Sequence, residues 1–110
     1  MNVTRVNHGS HSVVTLTGRL ETGTANAFEE TCCRWINEGS TRLLLDFSTL
    51  YYVSSAGLRA LFTVAKKATA EGGGVAGYGA TGAVQEVFHF ASFAEIVPLG
   101  EDAASALALI

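Results

Sequence analysis

Ser54-Ser55-Ala56-Gly57-Leu58 stands where one sequence pattern changes into another. Before it, the run from Leu43 to Phe47 is apolar except for Asp46, which is typical of a strand that is covered on both faces. After it, apolar residues recur at helical spacing until about Glu71, and the glycines from Gly72 end the helix. The sequence therefore predicts a strand, a loop that carries two hydroxyl groups, and a long helix that begins at Ser55.

The two serines would lie at the amino end of this helix. The first backbone N–H groups of a helix have no partner within it and carry partial positive charge. A phosphate group added to either serine would therefore be stabilised there. A simpler interpretation is that Ser54 or Ser55 only caps the helix, which contributes about 1 kcal/mol. Local chemistry leaves both interpretations open.

The same periodicity predicts the remaining elements, working outward from this junction. A glycine-bounded segment, 18–23, is predicted as a loop, and Thr81 and Asp102 are predicted as helix caps. The predicted strands are Val3–Val6, Ser12–Thr17, Leu43–Phe47, Val75–Tyr78 and Ile96–Leu99, and the predicted helices are Thr24–Glu38, Ser55–Glu71, Ala83–Ala91 and Ala103–Leu109. The order β-β-α-β-α-β-α-β-α predicts an α/β fold over residues 1–110, with five strands, four helices and a mostly parallel sheet joined by right-handed crossovers.

Composition excludes several classes of function. With 110 residues, 48% hydrophobic and only 15% charged, the chain has the composition of one globular domain. The net charge is −3 and no basic cluster occurs, so nucleic-acid binding is not expected. No apolar run approaches the roughly 18 residues of a membrane span, and residues 1–5 do not resemble a signal peptide. We therefore expect a cytoplasmic protein without membrane insertion.

The cysteines and histidines predict no metal site. Cys32 and Cys33 are adjacent on a predicted helix, so they point in different directions and do not form a disulfide framework. One is expected in the core and the other at its edge. His8, His11 and His89 have no metal-ligand spacing with these cysteines.

A glycine motif near the end of the chain suggests another function. The segment 77–82, Gly-Tyr-Gly-Ala-Thr-Gly, matches the dinucleotide-binding pattern between a predicted strand and helix, and Glu101 lies where a ribose-binding acid is expected. However, the following helix is short and no second nucleotide-binding half follows. A glycine-lined turn is the preferred interpretation, and a small nucleotide-binding protein stays an alternative.

No catalytic site is predicted. Neither Ser54 nor Ser55 has a glycine two residues before it, as a nucleophile elbow requires. The paired carboxylates, Glu29-Glu30 and Glu101-Asp102, fit an exposed helix face and a helix start. We therefore expect a protein that is not an enzyme and that uses no cofactor.

Taken together, the segments resemble the STAS domain family, and within it the bacterial anti-sigma factor antagonists. The segment 18–21, Gly-Arg-Leu-Glu, followed by Thr24-Ala25, is similar to the element that leads into the first helix of that family. The segments 43–48 and 54–58 are similar to its central strand and its switch loop. The segments 73–76 and 84–88 are similar to a later strand and helix, so the resemblance covers about residues 3–108.

The resemblance implies a regulatory mechanism called partner switching. An antagonist of this kind binds an anti-sigma factor that is also a serine kinase, and is released when the kinase phosphorylates it. A metal-dependent serine phosphatase reverses the modification. Alignment on Gly57-Leu58 places the phosphoacceptor at Ser55, with Ser54 as a competing hydroxyl. The implied contact surface comprises Ser54, Ser55, Ala56, Gly57 and Arg59, with Glu21, Thr22 and Thr24 from the neighbouring loop.

Two departures from the family pattern are visible. Ser54 stands where aspartate is common, and Ser92 stands after the third helix where glycine is frequent. A second member of the same fold class is a further alternative: an accessory subunit of a membrane lipid transporter that binds its ATPase. For Arg59, an ordinary exposed helix residue is as good an interpretation as a contact with the kinase or the phosphate.

Overall fold

The computed structural model describes residues 1–110. In chain order, the elements are β1 (Asn2–His8), β2 (His11–Leu20), α1 (Thr22–Asn37), β3 (Arg42–Val53), α2 (Ser55–Ala70), β4 (Gly74–Tyr78), α3 (Gly82–Phe90), a 3₁₀ helix (Phe93–Glu95), β5 (Leu99–Gly100) and α4 (Ala103–Leu107). This order confirms the predicted alternation of strands and helices.

The five strands form one mixed sheet in the order β1-β2-β3-β4-β5. The β1–β2 hairpin is antiparallel, and the β2–β3, β3–β4 and β4–β5 pairs are parallel. Each crossover moves the chain one strand along in the same direction. The predicted α/β class with a mostly parallel sheet is therefore confirmed.

The main core lies between the sheet and the three crossover helices. Its largest fully buried side chains include Phe28 from α1, Leu61 from α2 and Phe47 from β3, and Phe88 from α3 joins them. A separate, smaller cluster on the opposite face joins Leu44, Ala76 and Ala106. Because Ala106 belongs to α4, the last helix crosses to the other face of the sheet and covers β3 and β4 there.

Strand β3 is longer than the sequence predicts. We expected it to end at Phe47, but it continues to Val53, immediately before Ser54. The pairing with β2 shifts twice, from Thr15↔Asp46 to Thr17↔Thr49 and from Gly18↔Leu50 to Arg19↔Tyr52. Each shift places one extra residue in β3, as a β-bulge does. The bulges change which residues face the core, so simple alternation does not identify this part of the strand.

The predicted loop over residues 18–23 is also wrong. Strand β2 continues through this segment to Leu20, and α1 begins at Thr22, two residues earlier than expected. Gly18 has a φ of +111°, which explains why a strand pattern is hidden there. Glu21 is the single connecting residue and the N-cap of α1.

The last strand is displaced from its predicted position. We expected Ile96–Leu99, but β5 consists of Leu99 and Gly100 only. The N–H groups of Ile96 and Val97 both donate to the carbonyl of Phe93, at 3.0 and 2.9 Å, so they close a helical turn. Pro98 has no N–H group to contribute to a strand. Its carbonyl accepts a hydrogen bond from the Gly77 N–H at 2.9 Å instead.

The predicted caps differ in how they work. Asp102 caps α4, since its Oδ1 accepts a hydrogen bond from the Ser105 N–H at 2.8 Å, and this N–H lowers the pKa of Asp102. Thr81 occupies the N-cap position of α3, but its side chain makes no capping hydrogen bond. Ser92 has a φ of +51°, in the left-handed region where glycine is favoured.

The two cysteines are free and lie as expected. Cys32 is buried in the main core, and Cys33 is half-buried at its edge. Burial, and to a lesser degree the neighbouring Cys33, raises the pKa of the Cys32 thiol to about 12. A thiol with such a pKa stays protonated near neutral pH and behaves as a small apolar side chain.

Candidate functional site

Two strand-to-helix connections meet at one end of the sheet, where β2 and β3 finish. Strands β2 and β3 are parallel and end in register, with Leu20 beside Val53. The Ser54 N–H donates to the Leu20 carbonyl at 2.9 Å, which ties the start of α2 to the start of α1. The structure therefore brings together the two segments that the sequence analysis selected, residues 21–24 and 54–59.

The two serines have different positions at the start of α2. Ser54 is the N-cap, and its Oγ accepts a hydrogen bond from the Gly57 N–H at 3.2 Å. Ser55 is the first residue of the helix and its side chain is exposed. The N–H groups of Ser55 and Ala56 belong to the first turn, so no helix carbonyl accepts from them. The Ser55 hydroxyl thus lies beside a positive helix end, outside the cap.

Gly57 allows the first turn of α2 to pack directly against the ends of β2 and β3. It is buried, and a Cβ atom built on it would lie 2.5 Å from the Leu20 carbonyl oxygen and 3.0 Å from Val53 Cγ2. The first turn of α2 therefore approaches β2 closer than any side chain allows. Ala56 is half-buried and packs against the main core. Both residues position the loop, and Ser55 presents its side chain outward.

Replacing Gly57 by alanine tests this close approach. We expect the free energy of unfolding to fall by about 1–3 kcal/mol, because the added methyl group displaces a backbone carbonyl. Urea unfolding followed by circular dichroism measures this loss. The matched control is Gly23→Ala in the first turn of α1, where no atom lies within 4 Å of the added Cβ. We expect this control to be neutral or to gain up to about 1 kcal/mol. Equal stability of the two variants would contradict the assigned role of Gly57.

The start of α1 forms the other half of the site. The Glu21 N–H donates to Thr24 Oγ1 at 3.0 Å, and Thr24 Oγ1 is 2.8 Å from the Arg19 carbonyl oxygen. Thr24 therefore closes the cap of α1, whereas Thr22 is exposed in the first turn. The Glu21 carboxylate lies 2.9 Å from Arg19 Nε and remains partly exposed.

Arg59 lies one turn after Ser55 on α2. Residues four apart share a face of a helix, so Arg59 and Ser55 project to the same side. Both are exposed. We call the six residues that offer side chains here the helix-start surface: Glu21, Thr22, Thr24, Ser54, Ser55 and Arg59.

Sequence reasoning missed two exposed tyrosines next to this surface. Tyr51 is 68% exposed and Tyr52 is 39% exposed, at the end of β3 just before Ser54. The Arg19 guanidinium carbon lies 4.3 Å from the centroid of the Tyr52 ring, a cation–π contact. The signal in the sequence was the Tyr51-Tyr52 pair directly before the serines. It was hidden because the strand was predicted to end at Phe47.

The glycine motif 77–82 forms the connection between β4 and α3, as predicted. Gly77 is buried, and a Cβ atom there would collide with the ring of Phe47, so this glycine serves packing. Gly79 and Gly82 have φ values of +86° and +54°. The turn thus explains the glycines without a phosphate ligand. The adjoining cavity is lined by Glu95 and Glu101 and by no Lys or Arg, which disfavours a dinucleotide.

The family model for the STAS domain matches residues 2–106. The chain belongs to the STAS domain family. This STAS protein is 30% identical over 96 residues to BtrV of Bordetella bronchiseptica, which is named as an anti-sigma factor antagonist. That match covers 87% of this chain and 83% of BtrV. No helix in this STAS domain has both the length and the apolar character that a membrane crossing requires.

Solved structures show the same fold. An anti-sigma factor antagonist from Mycobacterium paratuberculosis superposes with a TM-score of 0.86 at 23% identity, over 99% of this STAS chain and 92% of that chain. The Bacillus cell fate determinant SpoIIAA in its phosphorylated form superposes with a TM-score of 0.72 at 14% identity, over 99% of this chain and 100% of that chain. At these identities the two structures establish the fold.

Proposed function

We propose that this STAS protein is an anti-sigma factor antagonist that works by partner switching, with Ser55 as the phosphoacceptor. In its unmodified form it binds an anti-sigma factor that is also a serine kinase. Phosphorylation of Ser55 releases the complex, and a metal-dependent serine phosphatase restores the binding form. The protein itself is a binding partner and a substrate in this scheme, not an enzyme.

The exposed position of Ser55 at the first turn of α2 carries this proposal. A kinase reaches an exposed hydroxyl without unfolding the domain. The added phosphate lies beside N–H groups of the first turn, which accept an anion. Ser54 already fills the cap through its contact with Gly57, so phosphorylation of Ser55 leaves that hydrogen bond in place.

The change in charge accounts for release. Phosphoserine adds about −1.5 to −2 charge at neutral pH. This charge appears at the first turn of α2, one turn before Arg59 and beside the Ser54–Leu20 hydrogen bond that joins α2 to the start of α1. A partner that packs against an uncharged hydroxyl must then desolvate a dianion. A loss of about 3–4 kcal/mol weakens a complex several hundredfold, so one modification is sufficient.

Two related proteins support the same proposal. BtrV, the relative at 30% identity, is named as an anti-sigma factor antagonist. SpoIIAA, which shares the fold, has been solved in a phosphorylated form.

Phosphosite mapping tests the proposal. The tagged chain is isolated from the cells that encode it and analysed by mass spectrometry, both for phosphate and for bound proteins. We expect phosphate on residue 55, and a serine kinase among the proteins bound to the unmodified form. Ser55→Ala abolishes the modification. Ser54→Asn is the matched variant, because asparagine keeps the helix cap and removes the competing hydroxyl.

The outcomes separate the alternatives. Loss of phosphate in Ser54→Asn, with phosphate kept in Ser55→Ala, would assign the acceptor to residue 54. Capture of a transporter ATPase without any phosphorylation would instead favour the accessory subunit of a lipid transporter.

A further inference from the structure

A cavity lies away from the helix-start surface, at the carboxyl ends of β4 and β5. Its volume is about 680 Å³, within the usual range of 300–1,000 Å³ for small-molecule sites. Two segments form its walls: residues 78–81, which run from the last residue of β4 towards α3, and residues 99–101, which are β5 and the residue after it. Residues of α3 and of the 3₁₀ helix close it from one side. None of the residues that line it belongs to the helix-start surface.

Topology explains why a cavity opens there. After β4 the chain continues into α3, which packs in the main core on one face of the sheet. After β5 it continues into α4, which packs in the smaller cluster on the other face. Neighbouring parallel strands whose connections leave to opposite faces create a crevice at their carboxyl ends. This is where open α/β sheets bind ligands.

The lining combines an apolar floor with acidic groups. Tyr78, Ala80 and Leu99 are half-buried and contribute apolar surface, whereas Phe88 and Phe93 are fully buried behind it. Glu95 and Glu101 contribute carboxylates, and both residues are exposed. His89 is the only basic side chain in the lining. The cavity therefore offers an apolar surface to the body of a ligand and two carboxylates to a positively charged group on it.

The distribution of charge along the chain reinforces this selectivity. All seven Lys and Arg residues lie between Arg5 and Lys67. Residues 68–110, which include β4 and everything after it, carry five carboxylates and neither Lys nor Arg: Glu71, Glu86, Glu95, Glu101 and Asp102. Anions approaching this end of the molecule are repelled, and cations are attracted.

We propose that this cavity is a binding site for a small organic cation with a flat apolar body, such as an aromatic amine. The apolar body lies against Tyr78, Ala80 and Leu99, and the amine pairs with the carboxylates of Glu95 and Glu101. Such a ligand binds independently of the proposed phosphorylation of Ser55. The glycine turn 77–82 shapes one wall of this site and does not bind phosphate.

A pair of probes that match in shape and differ in charge tests the proposal. Tryptamine and indole-3-propionate carry the same ring with an amine or a carboxylate. Each is titrated into the isotope-labelled full chain and followed by two-dimensional amide NMR. We expect tryptamine to shift the amides of Gly79, Gln85, Ser92 and Gly100 in a saturable way, with a Kd of about 1 mM. We expect indole-3-propionate to bind at least about fivefold more weakly.

Removing the carboxylates tests their role directly. In the double variant Glu95→Gln, Glu101→Gln, we expect tryptamine to lose about fivefold to tenfold in affinity and the preference over indole-3-propionate to disappear. Glu86→Gln is the matched control, since it removes a carboxylate from α3 that does not line the cavity. Equal binding of the two indoles, no saturable shift with either, or binding of GTP at these amides would overturn the proposal.

Discussion

We expect Ser55→Asp to weaken the proposed complex with the anti-sigma factor about a hundredfold, and Ser55→Ala to leave it intact and unable to dissociate on addition of ATP. The aspartate introduces a charge at the first turn of α2, where the domain itself accepts an anion. The fold therefore stays stable and the penalty falls on the interface, at about 3 kcal/mol for a hundredfold change. Calorimetric titration of the purified partner with each variant measures this difference.

A matched charge elsewhere on the chain isolates the effect of position. Ser10→Asp adds the same charge in the turn of the β1–β2 hairpin. This turn lies at the amino end of β2, and so at the opposite end of the sheet from Ser55. Ser10 is exposed, and its hydroxyl accepts a hydrogen bond from Arg42 at 3.2 Å. We expect this variant to bind the partner as the wild type does. A similar loss in both variants would show that net charge, and not the charge at Ser55, governs association.

We expect Phe93→Ala to lower the free energy of unfolding by about 3–5 kcal/mol, because truncating a fully buried aromatic side chain leaves a cavity behind. Phe93 is 0% exposed and is the only buried residue of the 3₁₀ helix. Its ring stacks on Phe88 and meets Phe47 edge-on, with centroids 4.0 and 6.0 Å away. A loss of this size is a large fraction of the total stability of a domain. Urea or thermal unfolding measures it.

Phe90→Ala is the control for this prediction. Phe90 lies three residues earlier, at the end of α3, and is 87% exposed. Its replacement removes the same group from water instead of from the core. We expect a change within about 0.5 kcal/mol. If the two phenylalanines proved equally costly, the placement of the 3₁₀ helix against the core would be wrong.

The sequence was sufficient for the order of elements and for the start of α2. Helical spacing after Ser55 and the glycines from Gly72 bound α2 within one residue of its observed end. Asp102 identified the start of α4, because an aspartate before a helical run is a strong N-cap signal. These helix boundaries depend on residues that are close in sequence, and the structure has them where the sequence predicts them.

The features that the sequence did not show depend on non-local pairing. The bulges in β3 follow from its register with β2, and they expose Tyr51 and Tyr52 beside the helix-start surface. The turn at Ile96 and Val97 follows from hydrogen bonds to Phe93 that compete with strand pairing. The division of roles between Ser54 and Ser55 needed the contact of Ser54 with Gly57. Neighbouring hydroxyls are equivalent in a sequence and become distinct only in three dimensions.

The residue at the cap, Ser54, determines how strongly residue 54 and a phosphate on residue 55 would repel each other. With aspartate at the cap, as is common in the family, phosphorylation of the next residue brings the pair from about −1 to about −3 charge. With serine at the cap, the same reaction runs from zero to about −2. Each avoided pair of unit charges about 5 Å apart saves about 1–3 kcal/mol. The proposed phosphoserine at residue 55 is therefore opposed by less electrostatic repulsion in this protein than it would be beside an aspartate cap.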